Sequence, residues 1–337
     1  MGVLQNGKWQ HSDEINSVGE FVRAKSKLAG AQATGVVSSM SQEVNRYYLI
    51  ASKSCPWSHR VTIMRTLKGL GNIMPLHYAG GPRVEGYALK GDELWAVPGT
   101  EKKIRHLHQL YSLSDGEYTG KATVPVLWDS YDQIIISNES SDIARALNSV
   151  RSEYSLPDFT LVPDKLRFEI DQANSMIYDG LNNAVYQAGF ARSQSAYDDA
   201  VNRVFYTLDG LENRLQKSRY YFGGALSETD WRIFPTLCRF DAIYHILFKC
   251  SKRRLVDYPA LWAYARDLYQ TKGIAETIDF EAMRTASYLN DSSSENPIIA
   301  IQPDADWSAS HGREALGATH VFSREGEEIA IDPKVFQ

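Results

Sequence analysis

The chain predicts an α/β domain followed by an all-helical domain, and three observations carry that expectation. First, a β-prone run, Tyr47–Ala51, leads through a short polar turn into Cys55-Pro56, and a helical apolar period follows. Second, strand-like and helix-like runs alternate from about Val44 to residue 150, whereas past Pro157 the strand signals stop and long helical patterns take over. Third, Thr123-Val124-Pro125-Val126 places a proline at the head of a strand, which a central strand does not tolerate without a reason.

Residues 1–43 are polar, with Gly, Ser and Lys scattered and no sustained period, and read as an N-terminal extension that wraps or dangles. The domain over 44–150 opens with the strand Tyr47–Ala51. In the next helix, from Pro56 to Leu70, Val61, Met64, Leu67 and Leu70 recur at helical spacing. Pro56 suits the first helical position, where its missing N–H costs nothing. An apolar run near Ile73–Tyr78, a long loop holding Gly80, Gly81, Gly86 and Gly91, and a helix over Leu107–Leu113 come next. Strands at Thr123–Trp128 and Gln133–Ile136 and a helix from Glu139 to Leu147 complete a β-α-β, α, β-β-α order, that of a thioredoxin-like domain. The second domain, 158–290, carries helical patterns over Leu166–Leu181, Ser195–Leu215, Thr229–Phe248 and Leu261–Tyr269. Ser227 and Asp230 have the spacing of a capping box ahead of Ile233, Leu237, Phe240, Tyr244 and Leu247. The tail, 291–337, is rich in Ser, Asp and Pro, and no regular structure is assigned to it.

Composition narrows the function. The chain has 337 residues, 43% hydrophobic and 23% charged, with a net charge of −5 that gives no general attraction to nucleic acid. The one basic cluster, Lys249, Lys252, Arg253 and Arg254, reads as a solvated surface. No apolar stretch approaches the ~18 residues of a membrane span, and residues 1–10 have no apolar core like that of a signal peptide. Gly2 is not followed by the Ser or Thr at position 6 that myristoylation needs, since Asn6 stands there. Three scattered cysteines, Cys55, Cys238 and Cys250, do not make a disulfide framework, and a reducing cytoplasm is the simplest compartment.

The chemistry centres on Cys55. It stands at the entrance of a helix, where free N–H groups and the positive end of the dipole favour an anion, and the thiolate is the nucleophile of thiol exchange. Neither Cys238 nor Cys250 forms a C-x-x-C with it, and both lie on apolar helical patterns as buried thiols, so this is a monothiol site. Ser137-Asn138-Glu139-Ser140-Ser141 lies between a strand and a helix. There, N–H groups and the Ser140 hydroxyl suit a carboxylate, and Glu139 suits an ammonium. By themselves Glu139 and Ser140 read first as a plain helix cap; beside Cys55-Pro56 and Val124-Pro125 they match the α-amino acid end of glutathione. His106 and His108, two apart, diverge on a helix, so no metal site is expected. His59 reads as a packing or capping residue.

Cys55-Pro56-Trp57-Ser58-His59-Arg60, Lys121 to Asp129 and Asn138-Glu139-Ser140-Ser141 resemble the glutathionyl-hydroquinone reductases, the Xi class of glutathione transferases. So do Asn182 to Ala191, Arg239 to Tyr244, Phe248-Lys249-Cys250 and Asp257 to Trp262, and the resemblance covers roughly residues 45–303. It implies a thioredoxin-like domain with a cis peptide before Pro125, then an all-helical glutathione-transferase C-terminal domain, and a homodimer through the helical domains. It also implies reduction of glutathionyl-hydroquinones with glutathione as co-substrate and no metal. Residue by residue, it makes Cys55 catalytic, and Lys121, Val124, Pro125, Glu139 and Ser140 glutathione contacts. Tyr186, Tyr244 and Tyr288 become hydroquinone contacts. Three positions depart from the family pattern. Ser58 replaces the usual Ala, Lys121 replaces an Arg and so lacks its bidentate fork, and Gly86-Tyr87 stands where Gly-Trp is usual. Tyr87 is then the residue over glutathione, with Trp95 as the alternative. The tail beyond Asp304 has no counterpart in the resemblance. An Omega-like thioltransferase or dehydroascorbate reductase is the nearest alternative, and a non-catalytic binding module of the same fold is the remaining class.

Overall fold

The computed structural model describes residues 2–11, 15–151, 159–292, 294 and 296–335. Two compact units emerge: Met1–Glu14, Arg23–Leu156 and Thr285–Pro297 form one, and Ile15–Val22, Pro157–Arg284 and Ile298–Gln337 the other. The changeover expected at Pro157, with the domain start at 158, lies outside the described residues.

The first unit opens with the hairpin β1 (Gly2–Gln5) and β2 (Lys8–His11), followed by short helices α1 (Gln32–Gly35) and α2 (Val37–Gln42). Then come β3 (Tyr47–Ala51), α3 (Pro56–Leu67), β4 (Leu76–Tyr78), the small pair β5 (Trp95–Ala96) and β6 (Lys103–Ile104), α4 (Leu107–Ser114), β7 (Val126–Asp129), β8 (Ile134–Ser137) and α5 (Ser140–Ser149). The main sheet has the order β4-β3-β7-β8. The strand β3 runs parallel to β4, which requires the α3 crossover, and antiparallel to β7. Leu49, Ile50 and Ala51 are fully buried, as a strand covered on both faces requires. Trp128 on β7 is fully buried and anchored by its Nε1–H to the Pro98 carbonyl at 3.1 Å.

The N-terminal segment is less free than its composition suggests. Leu4 is fully buried in the core of this unit and exchanges two backbone hydrogen bonds with Gly120, at 2.8 and 2.9 Å. Trp9 stacks on His108 at 4.8 Å. A four-residue strand leaves almost no periodic signal, so only the tertiary partner reveals it.

The second unit contains α6 (Arg167–Ile177), α7 (Ala184–Phe190), α8 (Gln194–Leu215), α9 (Glu228–Arg239), α10 (Pro259–Tyr269) and the start of α11 (Phe280–Asp291), with the hairpin β9 (Thr319–Phe322) and β10 (Glu328–Ile331). Two helices are shorter than their periodicity predicted: α6 and α9 give way to π turns at Tyr178–Asn182 and Phe240–Tyr244. A single wide turn barely disturbs the apolar spacing, so the sequence reads through it. The capping box forms as expected, with the Asp230 carboxylate accepting from the Ser227 N–H and hydroxyl, each at 2.8 Å.

The tail, expected to lack regular structure, is a correction. It supplies β9 and β10, and Leu226 N–H donates to the His320 carbonyl at 2.9 Å. Arg313, almost fully buried, donates to the carbonyls of Leu215, Ser218, Arg219 and Ala260. Positions 293, 295, 336 and 337 of the expected tail lie outside the described residues.

Candidate active site

Cys55 is the N-cap of α3, with extended backbone angles (φ −84°, ψ 119°) and Pro56 following at the first helical position. Its Sγ accepts from the Ser58 N–H at 3.5 Å, so a cap interaction is made by sulfur where an oxygen is usual. The same sulfur lies 3.8 Å from the Val124 carbonyl, which joins two motifs far apart in the chain. The Val124–Pro125 peptide is cis. Val124 is buried, and among the described residues its N–H has no acceptor. A buried backbone donor left open beside a nucleophile is a ready contact for an extended ligand.

Glu139 is the N-cap of α5. Its Oε1 accepts from the Ser141 N–H at 3.1 Å and hydroxyl at 2.9 Å, with the Ser140 hydroxyl at 3.4 Å. The capping reading is therefore realised, but it uses one carboxylate oxygen; Oε2 receives no hydrogen bond among the described residues. Ser140 is buried at the first turn. Lys121 is half-buried on the segment leading to Val124.

Sequence reasoning missed the brace behind these residues. The Tyr111 hydroxyl donates to the Thr123 carbonyl at 2.7 Å and accepts from the Thr123 N–H at 3.2 Å. It also accepts from Asn138 Nδ2 at 2.9 Å, and Asn138 gives its second proton to Thr123 Oγ1 at 3.2 Å. The Ser26 hydroxyl donates to Asn138 Oδ1, so both protons and the oxygen of the amide are engaged. Burial pushes the Tyr111 phenol well above its ordinary value, so it remains a proton donor. This network fixes the residue before Val124 to the residue before Glu139. Asn138 was visible inside the motif, whereas Tyr111 had no sequence signal. Arg60 and Arg23 also escaped notice: their guanidinium carbons lie 4.5 and 5.1 Å from the ring centre of Trp57, bringing two cations to the first turn of α3.

The two candidates for covering glutathione separate. Trp95 is 9% exposed, belongs to the core of the first unit and stacks on His77 at 4.8 Å. Tyr87 is half-buried on the Gly-rich loop, with the Arg83 guanidinium carbon 4.9 Å from its ring centre. Gly86 before it has φ +73°, and a Cβ there would meet the Trp9 ring at 3.2 Å, so glycine is required.

The tyrosines divide between the units. Tyr288 lies on the part of α11 in the first unit and is buried. Tyr186 and Tyr244 lie together in the second unit, their hydroxyls 3.4 Å apart and their rings edge-on at 5.8 Å, with Phe248 and Phe190 beside them. Tyr244 is fully buried, and burial holds its phenol far above the usual value. Gly189 is explained by Phe248, whose ring a Cβ would meet at 2.3 Å.

Burial pushes the Cys238 thiol up to about 11 and the Cys250 thiol up to about 12, as expected of inert core cysteines. His106 precedes α4 as its N-cap, so the two histidine rings stack 5.7 Å apart instead of diverging. Among the described residues no group of three or more His, Cys, Asp or Glu could hold a metal, and no helix is long and apolar enough to cross a membrane.

The comparisons with known proteins agree with this geometry. The family model for the glutathione S-transferase N-terminal domain matches residues 54–150, and that for the C-terminal domain matches residues 194–267. Fold and family models together define a glutathione transferase. The chain is 39% identical over 325 residues to the glutathionyl-hydroquinone reductase YqjG of Escherichia coli strain K12, covering 93% of this chain and 99% of that one. It is 40% identical to the glutathionyl-hydroquinone reductase PcpF of Sphingobium chlorophenolicum, with 90% and 96% covered. The glutathione-bound structure of YqjG superposes with a TM-score of 0.73 over 81% of this chain and 89% of that one, at 40% identity. A Xi class glutathione transferase from Natrialba magadii superposes with a TM-score of 0.77, at 33% identity, with 94% and 97% covered. The chain belongs to the glutathionyl-hydroquinone reductase family, the Xi class of glutathione transferases.

Proposed function

We propose that this enzyme reduces glutathionyl-hydroquinones to hydroquinones through a Cys55–glutathione mixed disulfide. The carrying observation is the placement of Cys55 Sγ at a helix start and 3.8 Å from the carbonyl of Val124, beside the cis proline. Val124 offers its N–H and carbonyl to the glutathione backbone, and Glu139 Oε2 and the buried Ser140 turn take the γ-glutamyl end. Lys121 supplies a positive charge for a ligand carboxylate, and Tyr87 an aromatic face. Tyr186, Tyr244 and Tyr288 keep the role the resemblance implies, hydroquinone contacts.

In the first step the Cys55 thiolate attacks the glutathione sulfur. An S–S bond forms, the aryl C–S bond breaks, and its electron pair stays on the ring carbon, which takes a proton to give the hydroquinone. In the second step a glutathione thiolate attacks the mixed disulfide, and glutathione disulfide leaves as Cys55 returns to thiolate. One substrate is thus reduced for each glutathione disulfide formed, with no metal or redox cofactor called upon. A homodimer through the helical domains is part of the same reading, as the resemblance implies. A reducing cytoplasm suits a monothiol enzyme.

The test is turnover of glutathionyl-hydroquinone, dehydroascorbate and a simple alkyl disulfide by the purified protein. The expected result is preference for the first, with hydroquinone and glutathione disulfide released in equal amounts. Preference for dehydroascorbate or the disulfide would transfer the enzyme to the Omega-like reading.

A further inference from the structure

Arg83 is left over by the mechanism, and its surroundings are specific. It sits on the Gly-rich loop four residues before Tyr87, and its backbone N–H donates to Asn290 Oδ1 at 2.7 Å. Its Nη1 donates to Asp291 Oδ1 at 3.0 Å, in a pair whose side chains are only 17% and 9% exposed. Asn290 Nδ2 reaches back to the Gly81 carbonyl at 3.4 Å. Asn290 and Asp291 close the last turn of α11, the turn that also carries Tyr288. All of these residues belong to the first unit.

An exposed ion pair contributes little, but this one is largely withdrawn from water, and removing one partner strands the other. Burial pushes the Asp291 carboxyl up, and Arg83 and Arg23 pull it back. A carboxylate at a helix C-terminus is also disfavoured by the dipole, which the Arg83 guanidinium offsets. Elsewhere the loop is closed at its base by the paired backbones of Gly80 and Ala88, while Val84 at its tip is 71% exposed. Glu85 meets His108 Nε2 at 3.3 Å and Gly86 lies against Trp9, and Arg83 is the side chain of the tip that reaches α11.

We propose that Arg83 and Asp291 are positioning residues for glutathione: they latch the loop to α11 and so hold the Tyr87 ring, on which the guanidinium stacks, in place over the ligand. The proposal rests on the reading of Tyr87 as a glutathione contact. Through α11 the latch ties that aromatic to the helix of Tyr288.

The experiment compares the full-length wild type with Arg83→Met, Asp291→Asn and the double variant. Glutathione affinity is read by calorimetry, KM for glutathione and kcat by turnover, and loop order by hydrogen exchange over residues 80–88. Each single variant should weaken glutathione binding and raise its KM about three- to tenfold, with kcat at saturating glutathione changed less than about twofold. Exchange over 80–88 should rise, and the double variant should be no worse than the worse single one, because both remove the same interaction. Unchanged glutathione affinity, whether or not thermal stability falls, would overturn the latch, as would strictly additive losses. A wild type that binds no glutathione would overturn the reading of the site itself, and with it the latch, before any variant is compared.

Discussion

At the scale of single residues, three cysteines with the same chemistry have different fates because of where their sulfurs sit. Cys55 caps a helix at the site, whereas Cys238 on α9 and Cys250 beyond the wide turn are buried in the second unit, with thiols pushed up to about 11 and about 12. The expected outcome of iodoacetamide labelling at pH 7 to 8 is modification of Cys55 alone. Both folded-state values lie above the ordinary thiol value, so Cys238 and Cys250 stay protonated until the pH rises past about 11, or until unfolding returns them to water. Cys55→Ser should abolish turnover, while the Cys238→Ser, Cys250→Ser double variant retains it, and mass spectrometry after trapping should find one glutathione on Cys55. An adduct on either other cysteine would disprove the assignment. Glu139 serves two masters, capping α5 through Oε1 and leaving Oε2 for a ligand ammonium. Glu139→Ala should weaken glutathione binding by a charge-assisted hydrogen bond, about 1.5–3 kcal/mol. Cap loss adds about 1 kcal/mol of stability cost. Calorimetry and thermal unfolding measure the two effects separately, and unchanged affinity with lowered stability would leave Glu139 as a cap only.

At the scale of elements, the contrast between the Gly-rich loop and β5 decides what two aromatics do. Trp95 is paired in β5 and stacked in the core, whereas Tyr87 stands half-buried on the loop. Trp95→Ala should therefore cost about 3–5 kcal/mol of stability as a core truncation. Tyr87→Ala should leave the melting temperature nearly unchanged and raise KM for glutathione about three- to tenfold. The opposite ranking in kinetics would place Trp95 over the ligand. The helices show a related division of labour. Asp230 closes the capping box of α9 and also accepts from the Tyr221 N–H and the Tyr264 hydroxyl, so one buried carboxylate joins three segments of the second unit. Where α9 ends, the π turn over Phe240–Tyr244 turns Tyr244 toward Tyr186 and Phe248. A wide turn next to a candidate substrate residue is a common use of that geometry.

At the scale of the whole chain, the described terminal segments are each packed into a unit. The first strand completes a core, and the tail seals the end of α8 through Arg313. Arg219 and Asp267 form a buried pair beside it, and Arg219 donates to the Gly317 carbonyl at 2.7 Å. Trp307 packs against Trp262, Tyr269 and Phe280. Arg313 satisfies four carbonyls at once, which the compact ammonium of lysine cannot reproduce. Arg313→Met should cost about 3 kcal/mol or more, because it leaves buried carbonyls unpaired, and Arg313→Lys should recover only part of that. For a domain of this size the Met variant should melt roughly 6–12 °C lower. A tail that merely rests on the surface would show no change in a thermal scan.

The sequence by itself determined the order of the main elements, the helix start at Cys55-Pro56 and the turns at Val124-Pro125 and Glu139-Ser140. Each of these is written in local chemistry: a proline after Cys55 starts a helix, a proline after Val124 heads a strand, and Glu139-Ser140 begins a helix after an apolar strand. Long apolar periods likewise located α8 and α10 to within a few residues. What only the tertiary structure decided depends on groups distant in the chain. Tyr111, Asn138 and Thr123 make one brace across three elements, and no local pattern encodes it. Trp95 and Tyr87 are both aromatics of one loop region, and the pairing of Trp95 in β5 and its burial against His77 tell them apart. The strands of the two ends are too short for a periodic signal, so their pairing and the carbonyls that Arg313 reaches become visible only when the chain is folded.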